Sequence, residues 1–442
     1  METSTKKIPG ARWMYILPVC FITTFFYFMD RQIISIALPG GLQKGLALNS
    51  TMAGLVAGVF SIGVLFLSVP AGQLAQKGKV KKFVSLCIAG WSIFTILTGF
   101  VQTGWQLVAV RFVIGFFEGA FSPAITTIFT FWFPDKDGER NRANSTYFTA
   151  ISIAAVSMGP IGGTLIQFYG WRSLFIILGL LSLVGCALWQ FFIFDRPEQA
   201  KWLSKEEREY IETTIQQERE EAKKVAGNVE VKSEKLPLGI LLRNKYVWSL
   251  CIVGFTVNIG QFGYTIWMPT MIKAITKTNI LNVGFISIVP NIFTVIGLWA
   301  WTYIATKVKN RRLTTGLPLI MFAASLLIAN FAGGTLTPVA EIGLLCLVSI
   351  FVQGHMPSYY SIPSLVLVKE LDGPARGMMA VAMGLGSFVG PYAVGYFITL
   401  TGSSKAGMYF LTAMLIIGGL STLILPKNMV ANPSGSKQGE AS

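Results

Sequence analysis

The chain has 442 residues and a formal net charge of +15, yet 52% of its residues are hydrophobic and only 13% are charged. An ordinary soluble domain carries about 25% charged residues, so this composition excludes a soluble globular protein. The basic residues lie in short segments between apolar runs, which is typical of membrane loops and excludes a nucleic-acid-binding protein. We therefore predict an integral membrane protein that is embedded in the lipid bilayer.

Twelve apolar runs are long enough to cross a bilayer, which takes about 20 residues. Six precede residue 195 and six follow residue 245, which predicts an all-α protein with twelve transmembrane helices in two six-helix bundles, residues 1–194 and 246–426. The predicted spans are residues 14–39, 52–74, 83–102, 106–133, 143–168, 172–194, 246–274, 283–305, 313–331, 341–366, 377–400 and 406–425.

Residues 195–245 form a long polar stretch between the two groups of spans. Ser204 followed by acidic residues is typical of a helix N-terminus, and the helix that follows carries charges nearly all round. We interpret this segment as a cytoplasmic linker, with a regulatory arm as the alternative. Residues 427–442 are predicted to be a cytoplasmic tail.

Basic residues are concentrated in alternate loops, which predicts that these loops lie in the cytoplasm. The opposite loops carry only Lys44 and Lys277. Both termini are therefore predicted to be cytoplasmic, in a multi-pass protein of the plasma or inner membrane. The basic residues that define this side are Lys6, Lys7, Arg12, Lys77, Lys79, Lys81, Lys82, Lys136, Arg140, Arg142, Lys307, Lys309, Arg311, Arg312, Lys369 and Arg376.

The halves of the chain resemble each other. Gly163 and Gly170 in the first half have the same spacing as Gly395 and Gly402 in the second, within similar segments. Two repeats around a central cavity are what an alternating-access carrier needs. One histidine and five scattered cysteines offer no clustered nucleophile, base or metal ligands, so we predict no enzymatic activity, no cofactor and no metal.

Four charged residues lie inside predicted spans, where each costs about 2.5–3.5 kcal/mol on insertion scales. Asp30 and Arg31 are adjacent in span 1, and Arg111 and Glu118 lie in span 4. The spacing of seven puts Arg111 and Glu118 on one helix face, about 11 Å apart. The glycines beside them would let another helix or a ligand approach closely.

Two interpretations of this cluster stay open. The residues could form two purely structural ion pairs, Asp30–Arg111 and Arg31–Glu118. Alternatively, the arginines bind the carboxylate of a substrate in bidentate fashion while the acids carry protons. Against the structural interpretation, an apolar pair would usually be as stable as a buried ion pair.

Other polar residues in the spans have a functional and a structural interpretation. Gln261 and Tyr264 share a face of span 7 with Asn258. These side chains could line a cavity, or they could form hydrogen bonds between helices. His355 in span 10 could carry a proton, or it could be a hydrogen-bonded core residue. Tyr27 and Tyr360 are predicted to contact the substrate.

The chain resembles the anion:cation symporter family of the major facilitator superfamily. The resemblance is carried by "DRQIISIALP" in span 1, "RFVIGFFEGAFSPA" in span 4, "GPIGG" and "YGWRSLF" across spans 5 and 6, "WMP" in span 7 and "GSFVGPYAVG" in span 11. It implies the major facilitator fold and proton-driven uptake of carboxylates. By the same resemblance Arg31 and Arg111 face the anion, while Asp30 and Glu118 are linked to protons.

Two departures from the family pattern qualify this expectation. Gln76 and Thr306 stand where the cytoplasmic loop signature has an acid, which makes the preferred conformation of the carrier an open question. Val64, Tyr360 and Ala380 make the pocket less polar than in carriers of sugar acids. Unmatched polar groups are costly in a closed pocket, so a small or aromatic carboxylate is favoured.

These observations predict a secondary active transporter that imports an organic carboxylate with protons by alternating access. The alternatives are an organic anion exchanger without obligatory proton coupling and a non-transporting membrane sensor. A two-bundle carrier can function as a monomer, and we predict that this one does.

Overall fold

The computed structural model describes residues 10–76, 80–225, 238–308, 310–367 and 369–426. In these ranges the chain is helical with short turns, and it contains no strand. The basic residues Lys6, Lys7, Lys77, Lys79 and Lys309, and the predicted tail, lie outside the described residues.

Eleven helical segments in the described ranges are long and apolar enough to cross a membrane. One of them, Lys136–Phe192, has 57 residues and turns sharply at Gly170, where φ is +81°. Because this segment contains spans 5 and 6, all twelve predicted spans coincide with membrane-length helix, and the predicted fold class is confirmed.

The helices are numbered in chain order. In the first half they are α1 (Ala11–Ala37), α2 (Ser50–Gln76), α3 (Val80–Thr98), α4 (Gly104–Glu118), α5 (Phe121–Trp132), α6 (Glu139–Phe192) and α7 (Lys205–Val225). In the second half they are α8 (Leu238–Arg243), α9 (Lys245–Thr276), α10 (Ile280–Ile286), α11 (Ile288–Lys307), α12 (Arg311–Ala332), α13 (Pro338–Val352), α14 (Met356–Tyr359), α15 (Pro363–Val366), α16 (Lys369–Thr401) and α17 (Ser404–Ser421).

The contacts divide the chain into two compact units. Unit 1 contains Met1–Lys232 and Ile266–Ile288, and unit 2 contains Ser233–Thr265 and Val289–Ser442. Residues 266–288, which we assigned to the second bundle, thus group with unit 1 by their contacts. The predicted bundle boundaries at residues 194 and 246 stay a prediction.

The fourth predicted span is interrupted at Gly119 and Ala120, between α4 and α5. Pro123 accounts for the break, because a proline has no N–H and its ring collides with the carbonyl group four residues earlier, here that of Gly119. Glu118 is consequently the last residue of α4, at the point where the helix stops.

Helix α4 packs backbone to backbone against α2. A β-carbon on Gly115 would collide with the carbonyl oxygen of Phe60, and one on Gly119 with that of Val64. Gly63 of α2 lies equally close to the carbonyl oxygen of Phe112. The glycines beside the intramembrane charges therefore allow α2 to approach α4 closely. This contact places Phe60 of α2 against the charged cluster.

We expect Gly115→Leu to lower the stability of the purified protein, because the side chain would force α2 and α4 apart. Overpacking typically costs about 1–3 kcal/mol, and backbone atoms cannot yield as a side chain would. Thermal unfolding in detergent measures the effect. Gly343→Leu is the matched control, since no atom lies within 4 Å of its added β-carbon. Equal melting temperatures for the two variants would contradict the expectation.

The polar linker contains the predicted helix, α7, and Ser204 caps it by accepting a hydrogen bond from the N–H of Glu207 at 3.2 Å. One face of α7 is not solvated. Ile211 is fully buried and Ile215 is 9% exposed in the core of unit 1. The helix is therefore attached to unit 1 along its apolar face. The regulatory alternative stays open.

A buried charge network attaches the first turn of α7 to α1. Glu207 is fully buried, and its carboxylate accepts hydrogen bonds from the backbone N–H groups of Ala11 and Arg12, at 3.0 and 3.2 Å. It also accepts from Arg12 Nη1 at 3.1 Å, while Arg12 Nη2 pairs with Glu139 at 2.8 Å. The free N–H groups at the start of α1 are thus bonded by a side chain of the linker.

Farther along α7, a second acid binds the turn that precedes α6. Glu218 Oε1 accepts hydrogen bonds from the N–H groups of Asp135 and Lys136, at 2.6 and 3.1 Å. Its other oxygen pairs with Arg140 at 2.9 Å. Two acids on α7 therefore hold the starts of two membrane-spanning helices.

Candidate functional site

The four intramembrane charges come together in unit 1, on α1 and α4. Asp30 and Arg111 are each 1% exposed and Glu118 is fully buried. The Arg31 side chain is 25% exposed. Arg31 is thus the most accessible member of the cluster.

The distances between the charged groups are longer than those expected of ion pairs with a purely structural role. Arg31 Nε lies 3.8 Å from Glu118 Oε2, which is an ion pair but beyond hydrogen-bonding distance. Asp30 instead accepts a hydrogen bond from the Thr95 hydroxyl of α3 at 2.9 Å. Arg111 interacts with both acids electrostatically. The Arg31–Glu118 contact of the structural interpretation is thus present as a long ion pair.

Several polar atoms of the cluster lack a hydrogen-bond partner among the described residues. No donor contacts Asp30 Oδ1 or either Glu118 oxygen, and no acceptor contacts Arg111 Nε or Nη1. Buried polar groups are rarely left in this state, so each such atom asks for a functional explanation. The cluster therefore has both acceptors and donors free to form new bonds.

The two acids also face each other. The carboxyl groups of Asp30 and Glu118 interact with each other electrostatically. An ionised carboxylate only accepts hydrogen bonds, so a bond between two carboxyl groups requires a proton on one of them. The two acids can therefore bond to each other only when one of them is protonated.

Aromatic rings surround the two arginines. The Arg31 guanidinium lies 5.3 Å from the ring centres of both Tyr27 and Phe60 and 5.8 Å from that of Phe28. Arg31 Nη1 also donates to the Tyr27 hydroxyl at 3.1 Å. The Arg111 guanidinium lies 4.6 Å from the centre of the same Phe60 ring. Such contacts stabilise a cation without neutralising it, so they are compatible with two charged arginines in the cluster.

Three residues of the site were missed by the sequence analysis. Thr95 binds Asp30, as described above. The ring of Tyr147 of α6 packs 6.4 Å from that of Phe28 of α1, and its hydroxyl lies 3.0 Å from Ser122 Oγ of α5. Single polar residues in apolar spans are too common to indicate a site, and nothing in the sequence places α6 beside α1.

The predicted site residues of span 7 lie on α9, in unit 2. Tyr264 is buried, and its hydroxyl donates to the Leu345 carbonyl at 2.9 Å and lies 3.1 Å from Ser349 Oγ. The Asn258 amide group donates to the Gly254 carbonyl of its own helix at 2.9 Å, and its oxygen accepts from the Ser387 hydroxyl at 3.1 Å. Both residues thus form hydrogen bonds to other helices, and their contact with a substrate stays a prediction. Gln261 is half-buried.

The predicted residues of span 10 lie where that span breaks into α13, α14 and α15. Pro357 and Pro363 start the two short helices, since neither proline can continue a helix from the preceding turn. His355 is 2% exposed and its ring packs 6.2 Å from Tyr359. Tyr360 is 45% exposed, and its hydroxyl contacts Met383 Sδ at 3.8 Å. Tyr360 is thus the more accessible of these two predicted residues.

Within the described ranges, no group of three or more His, Cys, Asp or Glu side chains is placed to hold a metal ion. The five cysteines are free thiols, and four of them are buried.

Comparison with known proteins relates this architecture to transporters. The chain is 29% identical over 427 residues to a protein of Agrobacterium vitis named "Putative tartrate transporter", with 94% of each chain covered. It is 24% identical over 417 residues to a quinolone resistance transporter of Acinetobacter baumannii, with 93% of each covered.

The fold is also found among solved structures. A bacterial homologue of the human lysosomal transporter Spinster superposes with a TM-score of 0.77 at 14% identity, over 97% of this chain and 100% of that one. The sequence matches the Major Facilitator Superfamily over residues 20–391. With its twelve spans, this match shows that the chain is a membrane transporter, not an enzyme, and that it belongs to the Major Facilitator Superfamily.

Proposed function

We propose that the protein imports an organic carboxylate together with protons by alternating access. The observation that carries this proposal is the long Arg31–Glu118 pair of 3.8 Å, in which a partly exposed arginine faces a fully buried acid. An arginine held so loosely can exchange its partner for a substrate carboxylate, which it binds with two parallel hydrogen bonds.

The other members of the cluster support a proton-linked cycle. Binding of the anion at Arg31 leaves Glu118 without its cation, and uptake of a proton removes the unpaired charge. Two nitrogens of Arg111, Nε and Nη1, have no hydrogen-bond partner among the described residues and can help hold the anion once the acids are neutral. Loss of the proton on the cytoplasmic side restores the Arg31–Glu118 pair and expels the substrate. Asp30, which interacts electrostatically with Glu118, is the second group that the proton can occupy.

We further propose that the carrier works as a monomer in the cell membrane, with both termini in the cytoplasm. The concentration of basic residues in alternate loops supports this orientation. The name of the Agrobacterium vitis relative supports tartrate as the first substrate to test.

Uptake into proteoliposomes tests the proposal and separates it from anion exchange. We expect accumulation of labelled tartrate under an inward proton gradient with no substrate inside the vesicle. An exchanger would take up label only when an unlabelled anion is loaded inside. Exchange without any response to the gradient would contradict proton coupling, and absence of both would contradict carboxylate transport.

We expect Arg31→Lys to raise the tartrate concentration needed for half-maximal uptake by about tenfold, since an ammonium group is a point charge without the bidentate fork. Titration of initial uptake rates against substrate measures this change. Arg142→Lys is the control, because Arg142 is exposed and donates to the Asp137 carbonyl. Wild-type affinity in Arg31→Lys would argue against a carboxylate clamp at this residue.

A further inference from the structure

Thr95 of α3 uses its hydroxyl group differently from the other buried hydroxyls of that helix. A serine or threonine inside a helix commonly donates to the carbonyl four residues earlier in the same helix. Ser92 and Thr98 do so, at 2.6 and 2.9 Å. Thr95, which is 1% exposed, donates instead to Asp30 Oδ2 of α1 at 2.9 Å. Its hydrogen is therefore directed at the charged cluster.

The bond from Thr95 distinguishes the two acids of the cluster. Both acids have an arginine near them, since Glu118 pairs with Arg31 at 3.8 Å. Asp30 interacts electrostatically with Arg111. Among the described residues, however, Asp30 has a hydrogen-bond donor and Glu118 has none. Because a hydrogen bond to a carboxylate favours its charged form, hydrogen bonding supports the charged form at Asp30 and not at Glu118.

The charged and titratable groups around this bond come from three helices. Apart from the two acids they are arginines and tyrosines, which titrate far above neutral pH. A transported proton is therefore distributed between the two acids, which titrate as a coupled pair. The groups are Tyr27, Asp30 and Arg31 of α1, Arg111 and Glu118 of α4, and Tyr147 of α6, which packs against Phe28 of α1.

We propose that Thr95 is a positioning residue that holds the Asp30 carboxylate in its charged form and so directs the transported proton to Glu118 first. The threonine hydroxyl itself neither gains nor loses a proton. Asp30 then serves mainly as the counter-ion of Arg111. This inference rests on the proposed function and adds to it the order in which the two acids take up the proton.

The pH dependence of tartrate uptake into proteoliposomes tests the proposal, with the pH difference across the membrane held constant. Wild-type uptake should fall at high external pH, where the pair of acids no longer takes up a proton. Thr95→Val removes the donor and keeps the shape of the side chain, so Asp30 should retain a proton to higher pH. The fall in uptake should therefore move to higher pH, by about one pH unit for the loss of one hydrogen bond to a charged group. Thr95→Ser, which restores the hydroxyl, should return the profile to that of the wild type.

Thr98→Val is the matched control. Thr98 is fully buried, lies about one turn from Thr95 on the same helix, and bonds its hydroxyl to its own backbone at 2.9 Å. Its profile should coincide with that of the wild type. If Thr95→Val does not transport, the pH dependence of tartrate binding gives the same comparison without turnover, by calorimetry on the purified full chain.

Each contrary result has a distinct meaning. An unchanged profile in Thr95→Val, a move to lower pH, or an equal move in Thr98→Val would overturn the inference while leaving carboxylate transport intact. Loss of tartrate binding by Thr95→Val at every pH would assign the residue to anion binding and also overturn it. A wild type whose uptake and tartrate binding do not vary with pH would count against the proposed proton coupling and the inference together.

Discussion

Glu118→Gln is expected to abolish accumulation of substrate under a proton gradient while exchange across the membrane continues. Glutamine has the shape of a protonated glutamate and cannot ionise, so the variant would resemble the carrier with its proton permanently bound. Arg31 would then have no anionic partner at Glu118, and the substrate carboxylate could still bind it.

The burial of Glu118 explains why the effect should be large. The side chain is fully buried, its oxygens contact no hydrogen-bond donor among the described residues, and its nearest cation is 3.8 Å away. A carboxylate in this position depends on Arg31 for its charged form. A carrier whose residue 118 cannot alternate between a charged and a protonated form has no means of coupling proton movement to substrate movement.

The two transport modes are measured on the same proteoliposomes. Gradient-driven uptake of Glu118→Gln should fall to the level measured without a gradient, whereas counterflow should remain readily detectable. Glu198→Gln, at an exposed position outside the spans, is the matched control. Normal accumulation by Glu118→Gln would remove this residue from the coupling mechanism, and loss of both modes would point to a folding or binding defect instead.

Glu207→Gln is expected to lower the free energy of unfolding by about 3 kcal/mol, because removing one partner of a buried ion pair leaves the other uncompensated. Glu207 accepts three hydrogen bonds, from the two N–H groups that start α1 and from Arg12 Nη1. A neutral amide cannot satisfy all three, and Arg12, which is 2% exposed, would retain only Glu139.

Thermal unfolding followed by tryptophan fluorescence would detect this loss as a lower melting temperature. Glu209→Gln on the exposed face of α7 is the control, and its effect should stay within about 0.5 kcal/mol. Glu218→Gln should fall between them, since each side chain of the Arg140–Glu218 pair is 25% exposed. Equal melting temperatures for Glu207→Gln and Glu209→Gln would show that α7 does not hold the membrane helices.

The sequence alone determined the membrane class, the number of spans and the identity of the intramembrane charges. The length of an apolar run and the cost of a charge within it are local properties, so they can be counted without knowing any neighbour. The break in span 4 has a local cause as well, because the ring of Pro123 acts on the carbonyl of Gly119 in the same chain segment.

Only the tertiary structure decided which groups meet. The sequence placed Arg111 and Glu118 on one face of a helix, but the rotation of that helix against α1 decided that Arg31, not Arg111, is accessible. Nothing in the pattern of α7 indicated that Glu207 is buried, because its charge resembles that of its exposed neighbours. Nor did any pattern in the sequence indicate that Tyr147 packs against Phe28 of α1. Spacing along one helix is set by covalent geometry, whereas contacts between helices depend on packing that no single segment encodes.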